Sequence, residues 1–139
     1  MVDTLDPVLA VALHIVARFA ASAQEELLVR YDMGWLVHTL QEQGKLAENL
    51  PALTRIFGLD ESRLRYYSRI SQTFPPKEFY WVASLRRPDG RPLSWTHIEH
   101  LQKVTVARRR REIAFQAAQE AWAVKELEER VRALRVGSG

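Results

Sequence analysis

The stretch LPALTRIFGLDESRLRYY, residues 50–67, organises the reading of this chain. Gly58 divides it into two short runs of helical spacing, and a glycine between helices supplies the positive φ that a tight reversal needs. Leu53, Phe57, Leu59, Leu64 and Tyr67 are the large apolar residues spaced through the two runs, and Thr54 is a small residue in the first. The first run is expected to be a helix over 51–58 that Gly58 ends. Asp60 stands where a capping carboxylate starts the second, expected over 60–73 until Pro75 and Pro76 stop it.

Upstream, Asp6 followed by Pro7 is another start signal: a capping carboxylate, then a residue pre-set for the first helical turn. From there Leu9, Leu13, Val16, Ala20, Ala23, Leu27, Tyr31 and Gly34 recur at three and four residues. The reading is a long N-terminal helix over 6–43, continuous or as two nearly collinear pieces, stopped by Gly44. So apolar a helix needs a partner face, in the rest of the chain or in a second copy. The Leu9, Leu13, Val16, Ala20 face is therefore assigned to a homodimer contact.

Downstream, residues 77–85 are ambiguous. FYWVAS suits a strand by propensity, whereas KEFYWVASL suits two helical turns with Phe79, Val82 and Leu85 inward. Helix is taken. RRPDGRP is a turn by composition. Ser94 then caps a helix to about residue 103, Thr105 caps a longer one to about residue 121, and 124–135 forms the last, so the C-terminal helices span 94–135. No segment alternates at period two. The expected fold class is all-α: a multi-helix protein of one domain, 1–139, containing a helix-turn-helix over 50–73.

The composition agrees. A chain of 139 residues matches roughly 100–200 residues per domain, and 47% hydrophobic content rules out wholesale disorder. The net charge of +3 says little, but its distribution says more. Residues 1–54 hold 3 basic and 7 acidic side chains, a net of −4, while residues 55–139 hold 17 and 10, a net of +7. A polyanion partner is expected for the second part only. With zero Cys there is no disulfide, thiolate metal site or Cys nucleophile. The most apolar run, residues 7–23, contains His14 and Arg18 and falls short of the ~20 apolar residues of a membrane span. Asp3 and Asp6 precede it in place of the cations of a signal peptide. A cytoplasmic, nucleoid-associated protein without a membrane partner is expected. The terminal VGSG has linker composition and leaves room for a natural chain continuing past Gly139.

Residues 50–67 resemble the helix-turn-helix of bacterial DNA-binding proteins, in which a glycine turn and flanking apolar residues lock two short helices at a steep angle. With Leu64, Tyr67 and Ile70 buried, the second helix exposes Glu61, Ser62, Arg63, Arg65, Tyr66 and Arg69. A helix in the major groove presents its N-terminal residues to base edges. Arg can chelate guanine O6 and N7, and Ser and Tyr can bond bases or phosphates. The bland alternative is an ordinary solvated arginine face.

Four blocks extend the resemblance over roughly residues 15–135: YDMGWLV (31–37), DESRLRYYSRISQTFP (60–75), LSWTHIEHL (93–101) and AWAVKELEERV (121–131). Their succession resembles the N-terminal helical domain that precedes a PD-(D/E)xK-type nuclease in a bacterial family of poorly defined function. It is also similar to the DNA-binding region of ParB-type partition proteins, where a helix-turn-helix is followed by an L-S-x-x-H helix and a V-x-E-L helix. Both resemblances imply DNA binding, and neither assigns an individual residue. Ala123 departs from the pattern, standing where a Ser or Thr cap is usual before VKEL.

Other basic features are weighed separately. Arg108 to Arg111 are consecutive on an expected helix and fan around it at about 100° per residue, so all four cannot touch one phosphate backbone. Arg110 lies on the inner stripe with Ile113 and Ala114, where it snorkels or pairs with a carboxylate. That leaves Arg108, Arg109 and Arg111 as phosphate contacts, with Arg86, Arg87 and Arg91 around the PDG turn. His97 and His100, three apart, lack the carboxylate or Cys to complete a metal set, and a structural role for His97 beside Trp95 is expected. Pro88 and Asp89 open like a nuclease motif, yet no Glu-x-Lys follows. No phosphate loop, nucleophile elbow or catalytic carboxylate pair is present. Trp35, Trp81, Trp95 and Trp122 are expected as core anchors.

The sequence therefore predicts a non-enzymatic protein, without cofactor or metal, that binds duplex DNA as a homodimer. It would act as a transcriptional regulator, a partition-type protein or a DNA-targeting module for a nuclease partner. The alternatives are the non-catalytic targeting part of a nuclease system, or a protein-interaction module built on the N-terminal helix and the Val124, Leu127, Val131, Leu134 stripe.

Overall fold

A computed structural model describes residues 6–18 and 22–137. It is all-α. Eight helices follow one another among the described residues: α1 (Pro7–Ala17), α2 (Ala23–Glu42), α3 (Leu46–Phe57), α4 (Glu61–Thr73), α5 (Pro76–Ser84), α6 (Trp95–Leu101), α7 (Ala107–Gln119) and α8 (Val124–Gly137). They divide into two compact units, Met1–Gln72 and Thr73–Gly139. Each unit closes around its own apolar cluster. No described helix is long and apolar enough to cross a membrane.

In the first unit, the Asp6 carboxylate accepts from the Val8 N–H at 2.8 Å, with Pro7 opening α1. Of the two readings open for 6–43, one continuous helix or two pieces, the structure has two pieces, α1 and α2. Ser22 is fully extended (φ −169°, ψ 167°), and its hydroxyl caps α2 by accepting from the Glu25 N–H. A hydroxyl that satisfies an orphan N–H this well favours starting a new helix over continuing the old one. Arg18, just after α1, reaches Glu25 and Asp32 of α2. The predicted apolar stripe also shifts. Ala12 and Ile15 are buried, Leu13 is 51% exposed and Ala23 is exposed, while Ala20 lies outside the described residues.

Gly44 ends α2 as expected. At φ 70° it completes a Schellman turn in which the Lys45 N–H meets the Leu40 carbonyl at 2.8 Å and its own N–H meets Gln41 at 3.1 Å. Helix α3 then begins at Leu46, five residues before the start read from Pro51. Leu46 is buried, and the Asn49 amide donates to the Lys45 carbonyl at the open end. Pro51 sits inside α3 on its exposed side, where water can serve the carbonyl that the ring leaves without a donor. Leu46, Leu53 and Leu64 join Ala12, Val37 and Leu40 in the core, with Leu50, Ile56, Phe57 and Leu59 half-buried around it.

Helix α4 lies backbone-to-backbone on α2. A Cβ added to Gly34 would stand 2.3 Å from the Tyr67 carbonyl oxygen and 2.0 Å from the Ser71 hydroxyl. Only glycine allows that approach. Ser71 donates to the Tyr31 carbonyl at 2.8 Å, and Ser68 to the Gln41 side chain at 3.0 Å, so α4 turns two hydroxyls inward beside Leu64, Tyr67 and Ile70.

In the second unit the ambiguous segment is helix α5. Phe79 and Val82 are fully buried, whereas Leu85 lies past the helix end and is half-buried. Phe74, Phe79 and Trp95 form an aromatic run, Phe74 edge-on to Phe79 and Phe79 tilted against Trp95. Thr105 caps nothing. Val106 occupies the N-cap of α7 and makes no side-chain cap bond, and α7 ends at Gln119. Helix α8 buries Leu127 and Val131 in this unit's core and leaves Val124 and Leu134 of the same stripe half-buried. Of the four tryptophans, Trp95 and Trp122 are buried and Trp35 is half-buried. Trp81, expected as a core anchor, is 37% exposed.

Candidate nucleic-acid interface

Three residues, Gly58, Leu59 and Asp60, connect α3 to α4. Gly58 adopts φ 68°, ψ 29° and donates its N–H to the Thr54 carbonyl. An L-residue disfavours this left-handed conformation, so the turn depends on glycine. Asp60 caps α4: its carboxylate accepts from the Arg63 N–H at 2.8 Å and from the Ser62 hydroxyl at 3.1 Å. These two bonds hold the Asp60 carboxyl below its ordinary pKa.

The face of α4 turned to solvent carries Glu61, Ser62, Arg63, Arg65 and Arg69, with Tyr66 half-buried among them. The guanidinium groups of Arg63 and Arg69 lie 5.7 and 5.3 Å from the Tyr66 ring centroid, one turn to either side. Arg63 also faces Tyr67 at 5.5 Å. Aromatic stacking restricts how far such long side chains sample. Arg65 pairs with Glu61 at 2.8 Å, so its cationic fork is partly neutralised on its own helix.

The remaining predicted contacts belong to the second unit. The PDG turn exists as read: Gly90 has φ 85°, the Arg87 N–H meets the Arg91 carbonyl, and the Asp89 carboxylate accepts from the Arg91 N–H. A turn contact thus accounts for Asp89. Arg86 folds back to donate to the Ala83 and Leu85 carbonyls at 2.9 and 3.0 Å, closing the C-terminal end of α5. Arg87 is half-buried near His97 and helps to lower its pKa, while Arg91 is exposed. Arg108, Arg109 and Arg111 are exposed on α7, with Arg108 paired to Glu112 at 3.3 Å. Arg110 points inward as expected, and its partner, Glu78 of α5, carried no mark in the sequence.

His97 plays a structural part. The Ser94 N–H donates to His97 Nδ1 at 3.1 Å, and the Ser94 hydroxyl accepts from the His97 N–H. This is a capping box with His in the place usually held by Glu. Because a backbone N–H can only donate, Nδ1 is the acceptor. The proton therefore sits on Nε2 and is given to the Trp122 carbonyl at 2.8 Å. Burial, first of all, pushes the His97 pKa down. The L-S-x-x-H block thus has a physical reason: it starts α6 and ties it to the α7–α8 turn. His100 lies 3.5 Å from Glu128 and is also shifted down by burial. Among the described residues no group of three His, Asp or Glu side chains is placed to hold a metal ion.

No family model, curated protein or solved structure matches the chain.

Proposed function

We propose that this chain is a non-enzymatic, sequence-specific duplex-DNA-binding protein that lays the N-terminal half of α4 in the major groove. One observation supports it above the rest. A three-residue glycine turn joins α3 to α4, and the first two turns of α4 leave Ser62, Arg63 and Arg65 on the surface while Leu64 and Tyr67 anchor the helix from behind. That division of labour is what a reading helix requires: apolar residues fix its angle, and its N-terminal polar residues meet base edges. The sequence blocks that resemble partition proteins and the domain preceding a nuclease point the same way. The biological role is then regulation, partition or targeting of a nuclease, at the nucleoid.

Titration of the full chain with a labelled duplex across a salt series tests this. Neutralising phosphates releases counterions, with a slope of log affinity against log salt of about −0.9 per contact. Steep weakening between low and moderate salt is expected. No duplex binding at low salt overturns the proposal.

Homodimerisation through α1 is part of the same reading, supported by Val11 and Leu13, which stay 47% and 51% exposed on an otherwise apolar helix. Light scattering at high micromolar concentration checks it, and a monomer unaltered by DNA counts against it.

A further inference from the structure

The second unit carries a surface feature that duplex reading by α4 does not use. Helices α5 and α7 enclose an open groove of about 770 Å³, lined by Trp81 and Phe115 with Lys77, Arg108 and Arg111 around them. Phe115 is 50% exposed and Trp81 37%, two large aromatics left at the surface of one groove. Two carboxylates also face the groove, but neither is available to repel an anion fully. Glu78 is held by the buried guanidinium of Arg110 and lies 3.9 Å from Arg111, and Glu112 is paired to Arg108. The same pair partly neutralises Arg108, so with Glu78 held by Arg110 the groove keeps a net positive rim, carried mainly by Lys77 and Arg111, around two aromatic side chains.

What fills it follows from which apolar residues are absent. The lining contains no Leu, Ile, Val or Met; its apolar surface comes from Trp81, Phe115, Ala107 and Pro75. A groove that receives an amphipathic helix offers aliphatic pockets for its anchors. Exposed aromatic faces between cations are the arrangement that holds unpaired bases: the rings stack on the bases and the cations follow the phosphates, without regard to sequence. We propose that the α5–α7 groove binds single-stranded nucleic acid, with Trp81 and Phe115 as stacking platforms and Lys77, Arg108 and Arg111 on the phosphates. This goes beyond duplex reading by α4 and uses none of that helix's residues, and it gives Arg108 and Arg111 to single-strand phosphates where the sequence reading gave them to the duplex.

The test uses the full chain and a fluorescein-labelled 15-mer of thymidylate, with a mixed-sequence duplex of equal length as the second probe. Binding of the single strand is expected to quench tryptophan emission and to weaken with salt. Trp81→Ala and Phe115→Ala should each weaken the single strand roughly tenfold or more, as loss of one stacked base does. Trp81→Phe, which keeps a ring, should retain most of the affinity. Duplex affinity and the thermal midpoint should stay unchanged in all three variants. The proposal is overturned if the wild-type chain fails to bind the single strand at low salt, or if Trp81→Ala and Phe115→Ala leave that binding intact. Parallel loss on both probes, or binding of an acidic leucine-rich helical peptide in place of the oligonucleotide, would also overturn it. Failure of the duplex alone would remove the helix-turn-helix reading and leave the groove standing.

Discussion

Arg110 of α7 grips Glu78 of α5 with a two-pronged fork, Nε to Oε2 at 2.6 Å and Nη2 to Oε1 at 3.0 Å, and both side chains are buried. Nη1 donates to the Val104 carbonyl at 2.7 Å, Nη2 reaches the Thr73 carbonyl, and the guanidinium lies 5.0 Å from the Phe74 ring centroid. One cation thus joins α5, α7, the α6–α7 connection and the residues that lead into α5. Breaking such a pair from one side strands a charge in the core, which costs about 3–5 kcal/mol, whereas replacing both partners by apolar groups is often near neutral. Arg110→Met and Glu78→Leu should therefore each be strongly destabilising in urea unfolding, and the double variant should recover most of the loss. Equal or greater loss in the double variant would show that the pair's geometry, and not an uncompensated charge, sets the cost.

Gly34→Ala should destabilise the first unit by about 2–3 kcal/mol or more, since overpacked cores shift backbone at that order of cost. Adding Ser71→Ala removes the nearer clash, with the hydroxyl, but not the one with the Tyr67 carbonyl. Only partial rescue is expected in denaturant melts of the double variant.

Ala121 adopts φ 53° at the end of α7, the only described non-glycine residue with positive φ. It holds the C′ position of a Schellman turn, with the Trp122 N–H on the Ala117 carbonyl at 2.9 Å. Because its side chain is exposed, Ala121→Gly loses no packing and relieves the left-handed strain. A gain of about 0.5–1 kcal/mol is expected from thermal melts.

Acid should weaken the second unit through its two shifted histidines. Both His97 and His100 have pKa values lowered by burial, so the folded state prefers them neutral. In the unfolded chain imidazole titrates near 6.5. Above that pH the stabilisation is complete; as pH falls through it, the unfolded state takes up protons that the folded state refuses. Stability should fall between pH 7 and 5 with a slope of at most about 1.4 kcal/mol per pH unit for each histidine. His97→Gln should flatten the curve of melting temperature against pH, leaving only the His100 share.

On DNA, Arg65→Ala should cost roughly 1–3 kcal/mol at a selected site and relax sequence preference, the signature of a lost bidentate base contact. Arg91→Ala, on the PDG turn, should weaken selected and scrambled duplexes alike and lower the salt slope by about 1. Glu61→Gln releases Arg65 from its ion pair and should strengthen binding. If Arg65→Ala left discrimination untouched, α4 would not be the reading element.

Helix class, and most of the helix limits, follow from local chemistry that any reader of the chain can apply. Asp6-Pro7, Gly44, Gly58, Asp60 and Ser94 act on their own neighbours, through one side-chain bond or one left-handed residue, and each punctuates the chain where the sequence says it should. The inward turn of Arg110 was likewise readable from its place on the Ile113 stripe. What spacing alone misjudged or left open depends on partners distant in sequence. Apolar periodicity left one helix or two open over 6–43 and Ser22 decides for two, while Leu46 starts α3 early because the core, not Pro51, decides. Glu78 looks like any first-turn acid until α7 brings Arg110 to it, and Trp81 looks like a core anchor until α5 turns it to the surface. Capping and turn formation act over one to four residues, so sequence determines them; burial and ion pairing across 32 residues of chain, as between Glu78 and Arg110, depend on which helix faces meet, and that is settled only when the whole unit packs.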